Sequence, residues 1–210
     1  MKTRDKIIHT ARLLFNETGY GAATTAALAE ACGIAEGNLW YHFKTKRDLL
    51  AAIAEEFDQH IEARLANPPD PDNPVTSYAA WLEALVVEQR KYRFLYRDSP
   101  HHDEPIELLD QKIPDWLQRA QDDIEWHLRA LVGQGLLDWP ADRLSDLATN
   151  ATIILRYGLE YFTERGVPDG AVRKTLLQHL TLFEGQLDPG AASSIRAAIE
   201  RIEEKVREAA

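Results

Sequence analysis

Three side chains on one short predicted helix have the chemistry needed to recognise nucleic acid. At about 100° per residue, Asn38, Tyr41 and His42 fall on the side of this helix opposite Leu39. An asparagine amide hydrogen-bonds base edges or phosphate, and tyrosine and histidine reach phosphate oxygens or a thymine methyl. Gly37, on the same side, lets the backbone approach a duplex closely. The pattern predicts a recognition helix for a major groove.

The elements around this helix predict a helix-turn-helix between Thr25 and Leu50. Residues 26–31 contain no helix breaker, and Gly33 allows the chain to turn before a second helix that begins near Glu36. A helix, a glycine turn and a short second helix follow in the order of the DNA-binding motif.

The helix that follows begins with a variant of the capping box. Thr45 supplies the N-cap, and Asp48 lies three residues later. Lys46 and Arg47 stand at the helix start, where exposed amides and a cation favour a phosphate. The exposed side of a packed helix would explain the Tyr-His-Phe triplet alone, but its combination with the glycine turn and the basic helix start favours DNA recognition.

The helix-turn-helix is part of a longer pattern over about the first 50 residues. It combines an amphipathic first helix, a threonine-capped second helix, a glycine turn and a short third helix ending Tyr-His-Phe before a lysine. The positions that carry this pattern are Ile7, Ile8, Ala11, Leu14, Phe15, Gly19, Tyr20, Thr24, Thr25, Leu28, Ala29, Gly33, Ile34, Leu39, Tyr41, His42, Phe43, Lys46, Leu49 and Leu50. On these residues, the region resembles the N-terminal domain of the TetR family of transcriptional regulators.

The resemblance implies a DNA-contacting surface formed mainly by the second and third helices. The positions implied are Thr24, Thr25, Glu36, Gly37, Asn38, Tyr41, His42 and Lys46. Two residues depart from the family pattern, which commonly has a small hydroxyl residue and then a basic or polar one. Ala35 has no side-chain group to cap the third helix, and Glu36 brings a negative charge near the expected phosphates.

Periodicity along the whole chain predicts an all-α protein. A three-helix DNA-binding domain is expected over residues 1–50, with a linking helix over 46–66 and a larger helical domain over 51–210. Four prolines between residues 67 and 74 break the linking helix. Further helices are predicted at 75–96, 104–112, 114–134, 141–165, 169–187 and 191–208. The family resemblance implies that the larger domain binds a small effector and forms the dimer.

Charge is distributed unevenly along the chain, whose formal net charge is −10. Residues 1–50 hold 7 Lys and Arg against 5 Asp and Glu, whereas residues 51–210 hold 17 against 29. The positive balance therefore lies where DNA is expected. A general nucleic-acid coat protein would be basic throughout, so the asymmetry favours a small, site-specific footprint.

Aromatic residues are concentrated between residues 75 and 165, where rings with N–H or O–H groups can line a ligand pocket. An ordinary helical core is the alternative explanation. The candidate effector-binding residues are Trp81, Tyr92, Tyr96, Arg97, Trp116, Trp126, Arg156, Tyr157 and Tyr161. The two arginines can pair with an anionic effector, or with the nearby Asp98 and Glu160.

Two of the predicted helices, at 141–165 and 169–187, carry apolar residues that can form a four-helix bundle between two subunits. Burial within one chain would produce the same periodicity. A homodimer has a separate rationale, because a single short recognition helix reads few bases. Two such helices related by a two-fold axis, roughly 34 Å apart, read a palindrome.

These observations lead to an expected function as a TetR-like regulator, most simply a repressor. It would bind a palindromic operator as a homodimer and be released by a small-molecule effector. Effector binding would favour a separation of the DNA-binding heads that does not match the operator, with the helix ending near Leu65 transmitting the shift. A DNA-binding regulator without ligand control is the alternative, and an interaction module with an inactive head is a third class.

An enzyme is the competing class. The segment His101–Glu104 has metal-ligand side chains between two prolines, but adjacent side chains rarely converge on one ion without distant partners. The sequence has no nucleophile elbow, phosphate loop or zincin motif. We therefore expect no catalysis, no metal and no cofactor, apart from an unidentified effector.

The single cysteine and the short apolar runs indicate in which cellular compartment the protein is expected. Cys32 has no second cysteine to pair with and is expected to pack as a small hydrophobe. No apolar run approaches the ~20 residues of a membrane span, and the charged N-terminus has no signal-peptide core. The expectation is a soluble cytoplasmic protein without membrane contact.

Overall fold

The computed structural model describes residues 2–97 and 107–208. Over these ranges the regular elements are helices, and one isolated bridge pairs Leu137 with Leu187. The α-helices are α1 (Thr3–Thr18), α2 (Thr25–Cys32), α3 (Glu36–His42), α4 (Lys46–Leu65), α5 (Pro74–Lys91), α6 (Arg93–Arg97), α7 (Glu107–Gly133), α8 (Leu144–Glu164), α9 (Ala171–Thr181) and α10 (Pro189–Glu208). Short 3₁₀ turns lie at Ala141–Arg143 and Glu184–Gln186. The predicted all-α class is confirmed.

Two helix boundaries differ from the prediction. The helices predicted at 104–112 and 114–134 form one helix over the described part, because α7 continues through Pro114. A proline removes one N–H donor, and burial of Leu109 and Trp116 on either side outweighs this loss.

The helix predicted at 75–96 is instead divided into α5 and α6. The reason is tertiary hydrogen bonding by Asn16, a residue of α1. Its amide nitrogen donates to the carbonyl oxygens of Arg90 and Lys91, and its carbonyl oxygen accepts the backbone N–H of Phe94. These backbone groups are therefore satisfied without a continuous helix.

The described chain divides into two compact units. The first contains residues 1–63 and 87–113, and the second contains residues 64–86 and 114–210. The first unit thus holds the whole predicted DNA-binding domain together with a later segment of the chain.

The first unit packs around α1, which contacts both α2 and α6. Phe15 lies at the centre, with its ring centroid 5.2 Å from that of Tyr20 and 5.3 Å from that of Phe94. Other large buried side chains of this unit are Ile7, Leu28, Leu39, Leu49, Leu50, Ile53, Phe57 and Tyr92. Each such side chain contributes about 1.5–3 kcal/mol by leaving water, so the short helices are held by this shared core.

The second unit is a helical core in which α9 packs against both α8 and α10. Its buried side chains include Tyr78, Leu82, Ile124, Leu128, Leu131, Leu144, Leu147, Leu155, Leu176, Leu180, Phe183, Ile195 and Ile199. Much of the periodicity of the predicted dimer helices is thus explained by burial within one chain. Their exposed residues are considered below as a separate surface.

Gly158 of α8 faces Thr175 of α9 at short range. A Cβ atom at position 158 would lie 2.5 Å from Cγ2 and 2.7 Å from Oγ1 of Thr175. Carbon atoms do not approach this closely without repulsion. The glycine is therefore needed for the packing of these two helices.

Cys32 packs as a small buried side chain, as expected. Cys32 is buried, and this burial raises the pKa of its thiol. Within residues 2–97 and 107–208, no helix is both long and apolar enough to cross a membrane.

Candidate nucleic-acid interface and effector site

The third helix presents a polar and aromatic face. Leu39 and Phe43 are buried and anchor α3 to the first unit, as predicted from their spacing. Asn38 is exposed, and Tyr41 projects with 78% of its surface accessible. A large aromatic side chain this exposed has little role in holding the fold, and it is available for a partner.

Gly37 leaves open space on the same face. No atom lies within 4 Å of the position that a Cβ would occupy there. Glycine inside a helix costs roughly 0.5–1 kcal/mol relative to alanine, and nothing in the packing of this unit requires it. Close approach of an external group, such as a DNA backbone, would explain why glycine occupies this position.

His42 and Glu36 complete the face at its two ends. His42 is partly buried, and its ring meets that of Tyr41 edge to face at a centroid distance of 5.3 Å. Glu36 is exposed at the first position of α3. The preceding Ala35 makes no side-chain cap, as its residue type predicts.

The elements before α3 adopt the predicted turn geometry. Thr24 Oγ1 accepts the backbone N–H of Ala27 at 3.1 Å and caps α2, while Thr25 is partly exposed at the first position of that helix. Gly33 has a φ of 65°, in the left-handed region that favours glycine. The orientation of α3 against α2 therefore follows from local sequence.

The capping box at the start of α4 is reciprocal. The backbone N–H of Asp48 donates to Thr45 Oγ1 at 3.1 Å, and the backbone N–H of Thr45 donates to Asp48 Oδ2 at 2.9 Å. Two otherwise unsatisfied donors of the helix start are thereby paired.

Lys46 lies at the first position of α4, as predicted, and its ammonium group is engaged within the first unit. Its ammonium donates to the carbonyl oxygens of Tyr20 at 2.8 Å and Ala23 at 2.9 Å, with a longer contact of 3.4 Å to Gly21. It also lies 4.4 Å from the centroid of the Tyr20 ring, and burial lowers its pKa. Lys46 thus holds the loop between α1 and α2, whereas the adjacent Arg47 is exposed.

The nine candidate effector residues are divided between the two units. Tyr92, Tyr96 and Arg97 belong to the first unit and are used in its internal contacts. The Tyr92 hydroxyl donates to Glu56 at 2.9 Å, and the Tyr96 hydroxyl donates to Glu88 at 3.2 Å. Arg97 donates to the carbonyl oxygens at the end of α1, so these residues position helices.

The other six candidates lie in the second unit. Trp81 and Trp116 are buried, and Trp126 is 41% exposed. Tyr157 and Tyr161 line a groove of about 460 Å³ between α8 and α9. The guanidinium of Arg156 lies 5.4 Å from the centroid of the Tyr157 ring. Tyr157 and Tyr161 are thus two candidates that share one groove.

Sequence reasoning missed a buried polar cluster in the second unit. The Tyr78 ring centroid lies 6.1 Å from those of both His127 and His179, and the Tyr78 hydroxyl hydrogen-bonds Nε2 of His179. Trp81 Nε1 donates to Asp123 at 2.8 Å. The periodicity gave no signal for this cluster, because its members come from three helices far apart in sequence.

Charge and protonation in this cluster are strongly affected by burial. Asp123 forms a buried ion pair with Arg64. Burial, with a smaller effect of Arg64, lowers the pKa of His127 to about 4. Burial alone lowers the pKa of His179 to about 3. The Nδ1 atoms of both histidines have no hydrogen-bond partner among the described residues.

Metal chemistry has no support in the described part of the chain. No group of three His, Cys, Asp or Glu side chains among residues 2–97 and 107–208 is arranged to hold an ion. The segment His101–Glu104, which carried the alternative metal-site prediction, lies outside the described residues.

Comparison with known proteins agrees with the geometry of the first unit. Residues 7–53 match the family described as bacterial regulatory proteins, tetR family, and residues 56–195 match TetR, described as bacterial transcriptional repressor. A crystal structure of a TetR-family transcriptional regulator from Marinobacter aquaeolei VT8 is similar with a TM-score of 0.80 at 26% identity. The similarity covers 96% of this chain and 99% of that chain.

Two curated relatives illustrate how far the sequence similarity reaches. The tetracycline repressor protein class C of Escherichia coli is 35% identical over 96 residues, or 46% of this chain, and this match spans only 42% of the repressor. The HTH-type transcriptional regulator AcrR of Shigella flexneri is 28% identical over 164 residues, covering 74% of each protein. Because the family match over residues 56–195 alone covers most of the chain, this protein belongs to the TetR family of bacterial transcriptional regulators.

Proposed function

We propose that this protein is a repressor that binds a palindromic operator as a homodimer and is released by a small-molecule effector. The observation that carries the proposal is the exposed face of α3, where Tyr41 projects beside the open space at Gly37. A bacterial chromosome is the target, so the site of action is the cytoplasm. The proposal includes no catalytic step.

Operator recognition is assigned to the face of α3. Asn38 and Tyr41 supply hydrogen bonds to bases and phosphates, and Gly37 permits close approach. His42 adds a contact at the helix end, while Thr24 and Thr25 bring the start of α2 to the backbone. Phosphate attraction is assigned to Arg47 in place of Lys46.

Dimerisation is assigned to an exposed apolar stripe on α8. Ile153, Tyr157 and Tyr161 recur every four residues and are 53%, 49% and 53% exposed. Apolar side chains at this spacing form one continuous stripe along a helix, as a partner helix requires. A second copy of the same stripe, related by a two-fold axis, would bury these side chains and bring two α3 helices to one operator.

Effector binding is assigned to the second unit. The unpartnered Nδ1 atoms of His127 and His179, beside the rings of Tyr78 and Trp81, would accept or donate hydrogen bonds to a mostly apolar molecule. The related class C protein is a tetracycline repressor by name, and this supports a small-molecule ligand here. A regulator without an effector remains the alternative.

The decisive experiment for DNA recognition is selection of bound fragments from sheared source-genome DNA. We expect the wild type to enrich a common palindrome, and Tyr41→Ala to lose roughly 1–3 kcal/mol of affinity for it. Leu13→Ala is the control, because Leu13 is 52% exposed on α1 of the same unit and is not assigned a DNA contact. Equal enrichment by the wild type and Tyr41→Ala would show that α3 does not recognise the operator sequence.

The effector proposal has its own test. Small molecules that change the tryptophan fluorescence of the protein are tested for release of the enriched operator by fluorescence polarisation. We expect at least one compound to release the operator from the protein. His127→Phe should lower the affinity for that compound without changing the affinity for DNA. If every bound compound leaves operator affinity unchanged, the ligand-independent alternative holds.

A further inference from the structure

The first unit contains a polar cleft of about 510 Å³ that the proposed function does not use. It is lined by residues of α1 and α4 together with Lys91. Arg12 is part of its lining, although only 6% of this residue is accessible. A buried guanidinium beside a cavity requires a physical explanation.

Within the described residues, the hydrogen-bond partners of Arg12 are a backbone carbonyl and a histidine ring nitrogen. Nη1 donates to the carbonyl oxygen of Lys91 at 3.2 Å, and Nη2 donates to Nδ1 of His9 at 3.1 Å. The guanidinium carbon lies 5.2 Å from the centroid of the Tyr92 ring. Nε is buried and has no hydrogen-bond partner within the described residues.

The carboxylate of Glu56, whose charge interacts with that of Arg12, is already paired. The field of Arg12 contributes to the lowered pKa of Glu56, but the direct partners of that carboxylate are Lys91 at 2.7 Å and the Tyr92 hydroxyl at 2.9 Å. Lys91 and Glu56 thus neutralise one another, and Arg12 keeps a positive charge without a direct anionic partner in the described chain. Burial of such a charge is costly unless an anion compensates it.

The Nε side of Arg12 is the part of its guanidinium without a hydrogen-bond partner among the described residues. Arginine binds carboxylates bidentately through parallel N–H groups, and Nε with Nη2 forms one such edge. Nε is unpartnered, and Nη2 retains a second proton beyond the one donated to His9. A carboxylate in the cleft would supply the missing negative charge beside Arg12.

The remaining lining restricts the class of ligand. Asp5 and Glu55 are exposed carboxylates that line the same cleft, and both would repel a dianion. The same carboxylates attract an ammonium group. Arg4 lies 5.1 Å from the Phe43 ring centroid, so it is partly engaged elsewhere.

We propose that this cleft binds a small amphoteric molecule of the α-amino-acid class, with its carboxylate on Arg12 and its ammonium near Glu55. The site is separate from the effector site assigned to the second unit, and binding to it needs no DNA. The cleft lies in the unit that carries α3. Its ligand could therefore act as a second signal that affects DNA binding.

The test observes Arg12 directly in the full-length protein. The Nε–H resonance of Arg12 is assigned by NMR as the signal lost in Arg12→Gln, and the standard amino acids are titrated to tens of millimolar. We expect at least one to shift this resonance saturably, with acetate or methylammonium binding roughly tenfold more weakly. If no amino acid shifts the resonance, or acetate binds equally well, the proposal is overturned.

Two further variants separate ligand binding from folding. Glu55→Gln leaves Arg12 and its contacts in place. We expect this variant to lower the affinity for the amino acid several-fold and to leave the affinity for acetate unchanged. Arg129→Gln removes an exposed arginine of the second unit and should change neither. Unchanged amino-acid binding by Glu55→Gln would refute the ammonium contact, whatever the result for operator binding.

Discussion

The side-chain oxygen of Asn16 accepts the backbone N–H of Phe94 at 3.0 Å, and this bond joins α1 to the start of α6. The same side chain donates through Nδ2 to the carbonyl oxygens of Lys91 at 3.0 Å and Arg90 at 3.3 Å. Arg97 returns the contact by donating to the carbonyl oxygens of Asn16 and Phe15. One asparagine therefore fixes the end of α5 and the start of α6 against α1.

Loss of this asparagine should destabilise the first unit. We expect Asn16→Ala to lower the free energy of unfolding by about 1–3 kcal/mol, because the buried N–H of Phe94 loses its partner. Urea unfolding checks this value. Thr18→Ala is the control, since the Thr18 hydroxyl bonds only exposed carbonyl oxygens of its own segment. Equal effects of the two variants would show that the Asn16 bonds add nothing.

Lys46 and Arg47 should have different phenotypes although they are adjacent. We expect Lys46→Met to lower the free energy of unfolding by about 1–3 kcal/mol, because the carbonyl oxygens of Tyr20 and Ala23 lose their donor. Arg47→Met should leave stability nearly unchanged and reduce the salt dependence of operator binding by about one phosphate contact. The reverse pattern would restore Lys46 as the phosphate ligand.

Gly158 and Thr175 should be energetically coupled. We expect Gly158→Ala to destabilise the protein by about 1–3 kcal/mol, because its Cβ would meet Cγ2 of Thr175 at 2.5 Å. Adding Thr175→Ala removes both clashing atoms and should recover part of this loss. A double-mutant cycle by urea unfolding measures the coupling, and strict additivity would mean that the helices simply move apart.

Acidification should destabilise the second unit through its buried histidines. The folded pKa values, about 4 for His127 and about 3 for His179, lie below the ordinary value of about 6.5, so the unfolded chain binds protons first. The stability is complete above about pH 6.5 and is lost as the pH falls towards these values.

The size of this loss is measurable above the range in which carboxylates titrate. With about 1.4 kcal/mol per pKa unit, each histidine should contribute about 1–2 kcal/mol between pH 6.5 and 5. Urea unfolding at several pH values measures the slope, which His127→Asn should reduce. Thr181→Ala, an exposed substitution on α9, should retain it. A slope unaffected by His127→Asn would mean that this ring is not the proton acceptor.

The apolar stripe on α8 predicts the effect of a charge on assembly. We expect Tyr157→Asp to shift the protein from dimer to monomer in sedimentation velocity, because a two-fold interface would bring two carboxylates together. Trp126→Asp provides the control at another exposed aromatic residue of the second unit. If Tyr157→Asp sediments like the wild type, the dimer uses another surface.

Features with partners a few residues away were predictable from the sequence. The Thr45 and Asp48 capping box and the turn at Gly33 were found as the sequence indicated, and the Thr24 cap was found as the family resemblance implied. The buried face of α3 also followed from its periodicity, because Leu39 and Phe43 lie one turn apart. Local geometry is sufficient to determine these positions.

Features with distant partners were not predictable in this way. The acceptors of Lys46 lie 23 to 26 residues earlier, and those of Arg97 lie 81 and 82 residues earlier. Residue type alone indicated only that these cations required a partner. For the same reason residue type did not show how the aromatic candidates are distributed, since Tyr92 bonds Glu56 in the first unit while Trp81 bonds Asp123 in the second.

The open space around Gly37 means that the fold does not exclude a Cβ atom at this position. Small side chains would cost the folded protein little, because no atom lies within 4 Å of the Cβ position. A library of small residues at position 37 would therefore report mainly on the DNA, with folding held nearly constant. The range of residues that still repress would measure how much room the operator leaves at its closest approach.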